Sequence, residues 1–151
     1  MNVLTLDVET THKAKESGGT TALPYFGNRL VSIGYKWLGD DKINYDFFYH
    51  KDKETWYDSN TVNRIQDDLN KADVLVGQNL KFDLTWIRAC GFTYDGHVYD
   101  TMVAEYILAK AKRWSLSLES LAKRYGVTQK EKDLVAPYLK DGKTFYDIPY
   151  E

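Results

Sequence analysis

The sequence is poor in cysteine and has no long apolar run, and each absence excludes a class of protein. Cys90 is the only cysteine, so no internal disulfide can form and a reducing compartment is expected. The histidines are scattered, and no cysteine and histidine cluster has zinc-site spacing. No stretch approaches the roughly 20 apolar residues of a membrane-spanning helix, and the N-terminus has no basic and apolar signal segment. We therefore expect a soluble cytoplasmic protein without a membrane partner, or a viral protein that acts in a host cytoplasm.

Positive charge is not in excess either. The formal net charge is −2, which argues against a protein that wraps duplex DNA but not against a nucleic acid held by metal ions in a local groove. Charges of both signs are mixed and 43% of the residues are hydrophobic, so a folded core is expected rather than disorder. The length of 151 residues fits one domain, residues 1–151.

Hydrophobic periodicity predicts an α/β chain that begins with strands and continues with alternating helices and strands. The predicted elements are strands at 3–9, 30–37 and 43–49, a helix over 62–72 capped by Asn60, a strand at 73–77, a helix over 80–87, a strand at 98–99, and helices at 101–110 and 118–125. Turn residues make the second and third strands a hairpin, and the stretch 11–20 has the composition of a mobile loop. Gly126 is expected to end the last helix. This order predicts a mixed sheet covered by helices on both faces.

Two carboxylates, Asp7 and Glu9, interrupt the apolar first strand. Alternate residues of a strand point to the same face, so the two side chains project together. Their apolar neighbours predict that they are buried, where two unpaired charges are costly. A hard divalent cation such as Mg²⁺ takes carboxylate oxygens and would offset that cost. The pattern predicts a metal site, with a hydrogen bond from Asp7 to a neighbouring loop as the simpler alternative.

A second polar group, Gln78 to Asp83, leaves a buried strand and enters a helix, which is where open α/β sheets tend to place their sites. Asn79 and Asp83 are four residues apart and share a helical face, with Phe82 beside them. Simpler interpretations stay open: Asn79 as a helix cap, Asp83 as an exposed carboxylate and Phe82 as a core aromatic. Asp100 precedes a predicted helix and is interpreted as its N-cap rather than as a metal ligand.

These segments resemble a known family. Leu6–Thr10 resembles the first motif of DEDD-type 3′–5′ exonucleases, and Gln78–Asp83 resembles their second motif in the form found in proofreading domains of family A DNA polymerases. Tyr99–Leu108 and Ser117–Ala122 are similar to segments that follow in those polymerases. The resemblance extends over nearly the whole chain in the same order.

The resemblance implies a ribonuclease H-like fold with a mixed five-stranded sheet, and two-metal hydrolysis of DNA from its 3′ end. Asp7 would bridge two Mg²⁺ or Mn²⁺ ions, Glu9 would ligate the ion that activates water, and Asp83 would support the second ion. Gln78, Asn79 and Phe82 would line the groove for the single-stranded 3′ end, and Thr10 would lie near the terminal nucleotide.

The family pattern has a fourth carboxylate, in a late helix bearing Tyr-x-x-x-Asp, that this sequence lacks. Tyr146 is followed four residues later by Tyr150, and the sequence ends at Glu151. Asp147 and Pro149 are helix-start signals, and a frayed coil is the alternative. We therefore expect a domain whose C-terminal helix is missing, weakly active alone and completed by a polymerase domain or a second chain.

Two other functions remain open. One is a catalytically inactive or split module that binds nucleic acid or a polymerase subunit, which the missing ligand favours. The other is an exonuclease for RNA, for which a contact to the 2′-hydroxyl would be decisive.

Overall fold

The structure, a computed structural model, describes residues 1–14, 18–52, 58–110, 112–128, 135–141 and 143–149. Its strands are β1 Val3–Thr10, β2 Lys13–Ala14, β3 Thr20–Thr21, β4 Leu30–Trp37, β5 Asn44–Phe47, β6 Val74–Gly77 and β7 His97–Asp100. Its helices are α1 Ser59–Lys71, α2 Leu80–Ala89, α3 Thr101–Leu108, α4 Leu118–Tyr125 and α5 Ala136–Lys140, and 3₁₀ turns span Pro24–Phe26 and Phe145–Asp147. The predicted α/β order is confirmed, and β2 pairs with β3 where only a loop was expected.

One mixed five-stranded sheet has the order β5–β4–β1–β6–β7. β4 and β5 form the predicted hairpin, and β4 runs antiparallel to β1. β6 and β7 run parallel to β1, because α1 and α2 carry the chain back between successive parallel strands. The architecture is the ribonuclease H-like α/β fold that the resemblance implies.

The hydrophobic core lies against one face of the sheet. Leu4, Leu6 and Val8 alternate along β1 and are buried in it. The helices α1 and α2 cover this face with their apolar stripes, which comprise Ile65, Leu69, Leu80, Trp86 and Ile87. On the opposite face of β1, Thr5 and Asp7 are exposed. Helical cover on both faces, which the order of elements predicted, is therefore missing from this part of the sheet in the described residues.

Local chemistry sets the ends of the helices. α1 begins after Asp58, whose carboxylate accepts hydrogen bonds from the backbone N–H groups of Asn60 and Thr61. The prediction of Asn60 as the cap is therefore wrong, because the aspartate two residues earlier takes that role. Gly126 ends α4 as predicted, in the left-handed conformation (φ 65°) that glycine adopts without strain. In the part of the chain that the structure describes, no helix has the length and apolar character to cross a bilayer.

The 3₁₀ turn Phe145–Asp147 lies beside β1. Asp147 was interpreted as a helix-start signal, and its Oδ2 accepts the Thr144 backbone N–H at 2.8 Å within this turn. Tyr146 stacks on Tyr49 with ring centroids 4.5 Å apart. These contacts also differ from a frayed coil. Tyr150 and Glu151 lie outside the described residues.

Candidate active site

Asp7 and Glu9 share the face of β1 that points away from the core. Asp7 is exposed and Glu9 is partly buried. The prediction of a shared face is confirmed, but the prediction that Asp7 is buried is wrong. Strand alternation explains the difference, because the apolar neighbours Leu6 and Val8 point into the core and leave the carboxylates on the outer face. Burial of an isolated charge is therefore no argument for a metal at Asp7.

The two carboxylates line a shallow cleft of about 390 Å³ on the open face of the sheet. Its lining comprises Thr5, Leu6, Asp7 and Glu9 of β1, Ser32, Gly34, Tyr35 and Lys36 of β4, and Ile43 and Tyr45 beside them. Gly34 lies opposite Asp7 in the register, and a Cβ there would come within 3.0 Å of the Tyr45 ring. The β4–β5 hairpin was predicted, but its contribution of Lys36 and Tyr45 to this cleft was not.

Asp83 approaches the same region from α2, and its side chain is only 3% exposed. Its Oδ1 accepts the Val8 backbone N–H at 2.9 Å. This donor is available because β6 pairs with β1 only as far as Thr5 and then gives way to α2. The interpretation of Asp83 as an exposed carboxylate is thus wrong. The Asp83 side chain thus joins the end of β1 to the first turn of α2.

Burial raises the pKa of Asp83 from 3.8 to about 7. The hydrogen bond from Val8 opposes this shift by stabilising the charged form, whereas the nearby charge of Asp7 and the weaker influence of Asp100 raise the pKa further. The pKa of Asp83 is near neutral and a second carboxylate, Asp7, is nearby. A bound cation would favour the ionised form of Asp83 and replace its proton. Such shifts concentrate at functional sites.

Asn79 and Gln78 have different surroundings. Asn79 occupies the N-cap position of α2 in a left-handed conformation (φ 59°), and its side chain makes no capping hydrogen bond. Its interpretation as a side-chain cap is therefore wrong, and the residue is exposed. The Gln78 amide donates to the Leu116 carbonyl at 2.7 Å and accepts from the Thr101 hydroxyl. Gln78 thus ties the start of α2 to α3 and to the loop before α4.

Phe82 and Thr10 have limited exposure to solvent. Phe82 is partly buried and packs against the hydrophobic core, and Thr10 is 7% exposed. Their predicted contacts with the substrate remain predictions.

Asp100 is the N-cap of α3, as predicted. It also accepts hydrogen bonds from the backbone N–H groups of Asn79 at 3.1 Å and Leu80 at 2.8 Å, at the start of α2. Sequence reasoning missed this second role, because it depends on the pairing of β6 with β7 and not on any local pattern.

The donor chemistry of Asp7, Glu9 and Asp83 fits a hard divalent cation, since all three offer carboxylate oxygens. The proximity of Asp7 to Asp83, felt as a raised pKa, supports the same conclusion. Within the described residues, however, no three side chains of aspartate, glutamate, histidine or cysteine converge closely enough to form a ready-made metal site. The three carboxylates are suitable ligands for a divalent cation. Ligation of one ion by all three would require their side chains to move closer to one another.

The described fold is a ribonuclease H-like sheet with Asp7 and Glu9 on its first strand and Asp83 bonded to that strand. A family model described as a 3′–5′ exonuclease, DNA_pol_A_exo1, matches residues 46–143, which is more than half of the chain. The chain therefore belongs to this 3′–5′ exonuclease domain family. The match includes Asp83 and Asp100 but begins after Asp7 and Glu9. A search of curated proteins finds no significant match.

Solved structures with a similar fold include a nuclease. One, described as the apo form of a nuclease, has a TM-score of 0.64 and 15% sequence identity, with 99% of this chain and 60% of that chain covered. NrnC of Brucella melitensis with bound Mg²⁺ has a TM-score of 0.57 and 17% identity, with 95% and 67% covered. A further NrnC structure gives 0.54 and 16%, with the same coverage. At these identities the likeness shows the fold, and the chain spans only 60% of the length of the first structure.

Proposed function

We propose that this chain is the 3′–5′ exonuclease module of a proofreading system, which removes nucleotides from the 3′ end of single-stranded DNA. The observation that carries the proposal is the 2.9 Å hydrogen bond from the Val8 backbone N–H, next to Asp7, to the buried carboxylate of Asp83. Asp7 and Asp83 are far apart in sequence. Asp83 reaches β1 at the part of the strand beyond Thr5, where β1 is no longer paired with β6. Family membership gives the direction of attack, and DNA as the substrate follows from the resemblance to polymerase proofreading domains.

In this proposal Asp7, Glu9 and Asp83 hold two divalent ions, Mg²⁺ or Mn²⁺. Such ions supply Lewis-acid stabilisation of the charge that develops on the attacking and leaving oxygens of an in-line displacement. The residues of the chain supply geometry and charge. Val8 N–H holds one oxygen of Asp83 in place.

The proposed substrate contacts lie at the start of α2. The exposed Asn79 amide would donate to the sugar or phosphate of the terminal nucleotide. Gln78 acts indirectly, since its side chain is occupied by Leu116 and Thr101. Phe82 and Thr10 would form the apolar and polar edges of the groove after a small rearrangement that exposes them.

We also propose that the site is incomplete in this chain alone. Three carboxylates are present where the family pattern has four, and they do not converge in the described residues. The face of β1 that carries Asp7 is open, so a helix bearing Tyr-x-x-x-Asp, from a polymerase domain or a second chain, has room to pack there. The same observations favour a second candidate function, a nucleic-acid-binding module without catalysis.

The test is digestion of 5′-labelled single-stranded DNA, 3′-recessed DNA and single-stranded RNA with Mg²⁺ or Mn²⁺. We expect slow shortening of DNA from the 3′ end, abolished in Asp7→Ala and unchanged in Asp67→Ala, which alters an exposed carboxylate of α1. Addition of a helical fragment that carries Tyr-x-x-x-Asp should raise the rate. Degradation that persists in Asp7→Ala would contradict the proposal. Metal-dependent binding without any cleavage would instead support the inactive module.

A further inference from the structure

The carboxylate of Asp100 joins two helices and not one. Its Oδ1 accepts from the backbone N–H groups of Met102 at 2.9 Å and Val103 at 3.3 Å, which is the ordinary N-cap of α3. The same Oδ1 accepts from Asn79 at 3.1 Å, and Oδ2 accepts from Leu80 at 2.8 Å. Four backbone donors therefore converge on one side chain, and two of them belong to the start of α2.

The start of α2 needs this external acceptor. The first N–H groups of a helix have no partner within the helix, and the Asn79 side chain does not supply one. Asn79 has a left-handed conformation (φ 59°), which asparagine adopts more readily than most non-glycine residues. Asp100 supplies the acceptors for the Asn79 and Leu80 N–H groups.

The same turn of α2 carries the buried carboxylate of the site. Asp83 reaches Val8 N–H from this turn, and Gly77, just before it, packs so closely that a Cβ would lie 2.6 Å from Leu80 and 3.1 Å from the Leu6 carbonyl. A shift of the helix start away from β7 would therefore change the distance between Asp83 and β1. The position of Asp83 depends on the anchoring of Leu80.

We propose that Asp100 is a positioning residue of the nuclease site, which sets the start of α2 so that Asp83 stays on Val8 and Asn79 faces outward. The proposal rests on the proposed function for its catalytic meaning, but the geometric part stands without it. Asp100 touches neither the substrate nor an ion in this role. It acts through α2, in the way that residues behind a metal ligand orient that ligand.

The substitution Asp100→Ser separates the two roles. A serine hydroxyl is a good N-cap, so α3 keeps its cap, but one short side chain cannot serve α2 as well. Asp100→Asn is a second variant: its amide oxygen can replace Oδ1, while its NH₂ group faces Leu80 N–H and breaks that bond. Asp58→Ser is the matched control, because Asp58 caps only α1, away from the site.

Amide hydrogen exchange of the metal-free protein, measured by NMR, tests the geometry. We expect the protection of the Val8 and Leu80 amides to fall about tenfold or more in Asp100→Ser, with Met102 still protected, and to stay at the wild-type value in Asp58→Ser. Mn²⁺ affinity, measured from the EPR signal of the free ion, should fall about 10–100-fold in Asp100→Ser and Asp100→Asn.

Wild-type Val8 protection and wild-type Mn²⁺ affinity in both Asp100 variants would overturn the proposal. So would an equal loss of affinity in Asp58→Ser, because a general loss of stability would then explain the effect. If the wild-type protein binds no Mn²⁺, the proposed function fails, and Val8 exchange still decides whether Asp100 positions Asp83.

Discussion

Asp83 couples the chemistry of the site to the stability of the fold. Its pKa is raised from 3.8 to about 7, mainly by burial. Between these values the folded protein holds a proton that the unfolded chain has lost. The free energy of unfolding therefore falls as pH rises from about 4 to about 7, and the whole penalty is present above pH 7.

We predict that Asp83→Asn removes this dependence. The amide oxygen can still accept from Val8 N–H, and no charge is buried. The variant should match the wild type near pH 4 and be more stable at pH 8, by up to about 4 kcal/mol. Urea denaturation across this pH range in the presence of a chelator measures the difference.

The matched control is Asp67→Asn, on an exposed position of α1. Its unfolding free energy should follow that of the wild type at every pH. A constant difference between Asp83→Asn and the wild type across the range would show that Asp83 is ionised in the fold and would contradict the prediction.

The positions of most candidate site residues at the residue scale could be predicted from local sequence patterns. Strand alternation places Asp7 and Glu9 together, and helical spacing places Asp83 at the start of α2. The burial of Asp7 was predicted incorrectly and that of Asp83 was left open, because burial depends on which face of the sheet receives α1 and α2. The second role of Asp100 is not visible at all without the pairing of β6 with β7.

At the scale of elements, α3 and α4 are joined by an ion pair between the buried Glu105 and the more exposed Arg124. Glu105 is 4% exposed, and it accepts from the Arg124 guanidinium and, at 2.8 Å, from the Tyr125 hydroxyl. Arg124 also lies over the Trp114 ring, 4.6 Å from its centroid. Glu105 thus holds the helix after the site against the helix that follows it.

We predict that Arg124→Met destabilises the protein by about 1–3 kcal/mol, because it removes a hydrogen-bond donor and the cation from a buried carboxylate. The double variant Arg124→Met with Glu105→Gln should recover most of this loss, since no charge remains to be compensated. Lys123→Met, a neighbouring exposed position of α4, is the control and should change the stability little. Urea denaturation at pH 7 measures all three, and a double variant as unstable as Arg124→Met would contradict the explanation.

Element type was more predictable than element environment. The hairpin, α1, β6, α2, β7, α3 and α4 all occur near their predicted positions. The apolar character of α3 suggests a core helix, yet Glu105 is its buried residue, whereas Ile107 and Leu108 are exposed. Hydrophobic periodicity predicts which face of a helix could be buried. The tertiary arrangement determines whether another element packs against that face.

The whole molecule has a sheet with one well-packed face and one open face at β1. The packed face supplies the stability, through the core that α1 and α2 complete. The open face carries Asp7 and Glu9 in a cleft that solvent and ligand can reach. The fold therefore places Asp7 and Glu9 on the face away from the core, whereas Asp83 is buried and bonded to the backbone of β1.

This arrangement predicts a global response to metal. If Asp7, Glu9 and Asp83 bind a divalent ion only in the folded state, the ion stabilises the fold by mass action, by about 2.7 kcal/mol at a concentration one hundred times the dissociation constant. For a domain of this size that corresponds to a rise in Tm of about 5–10 °C. The rise with Mn²⁺ should be larger at pH 8 than at pH 6, because at pH 6 the ion must displace the proton of Asp83.

Thermal unfolding with and without Mn²⁺ at both pH values measures this response, and chelation should reverse it. Asp7→Ala and Asp83→Asn should each remove most of the Mn²⁺-dependent shift, whereas Asp67→Asn should keep it. An equal shift in Asp7→Ala would place the ion elsewhere on the molecule. A shift that is larger at pH 6 than at pH 8 would show that the proton of Asp83 does not compete with the ion, and would separate the buried carboxyl from the metal site.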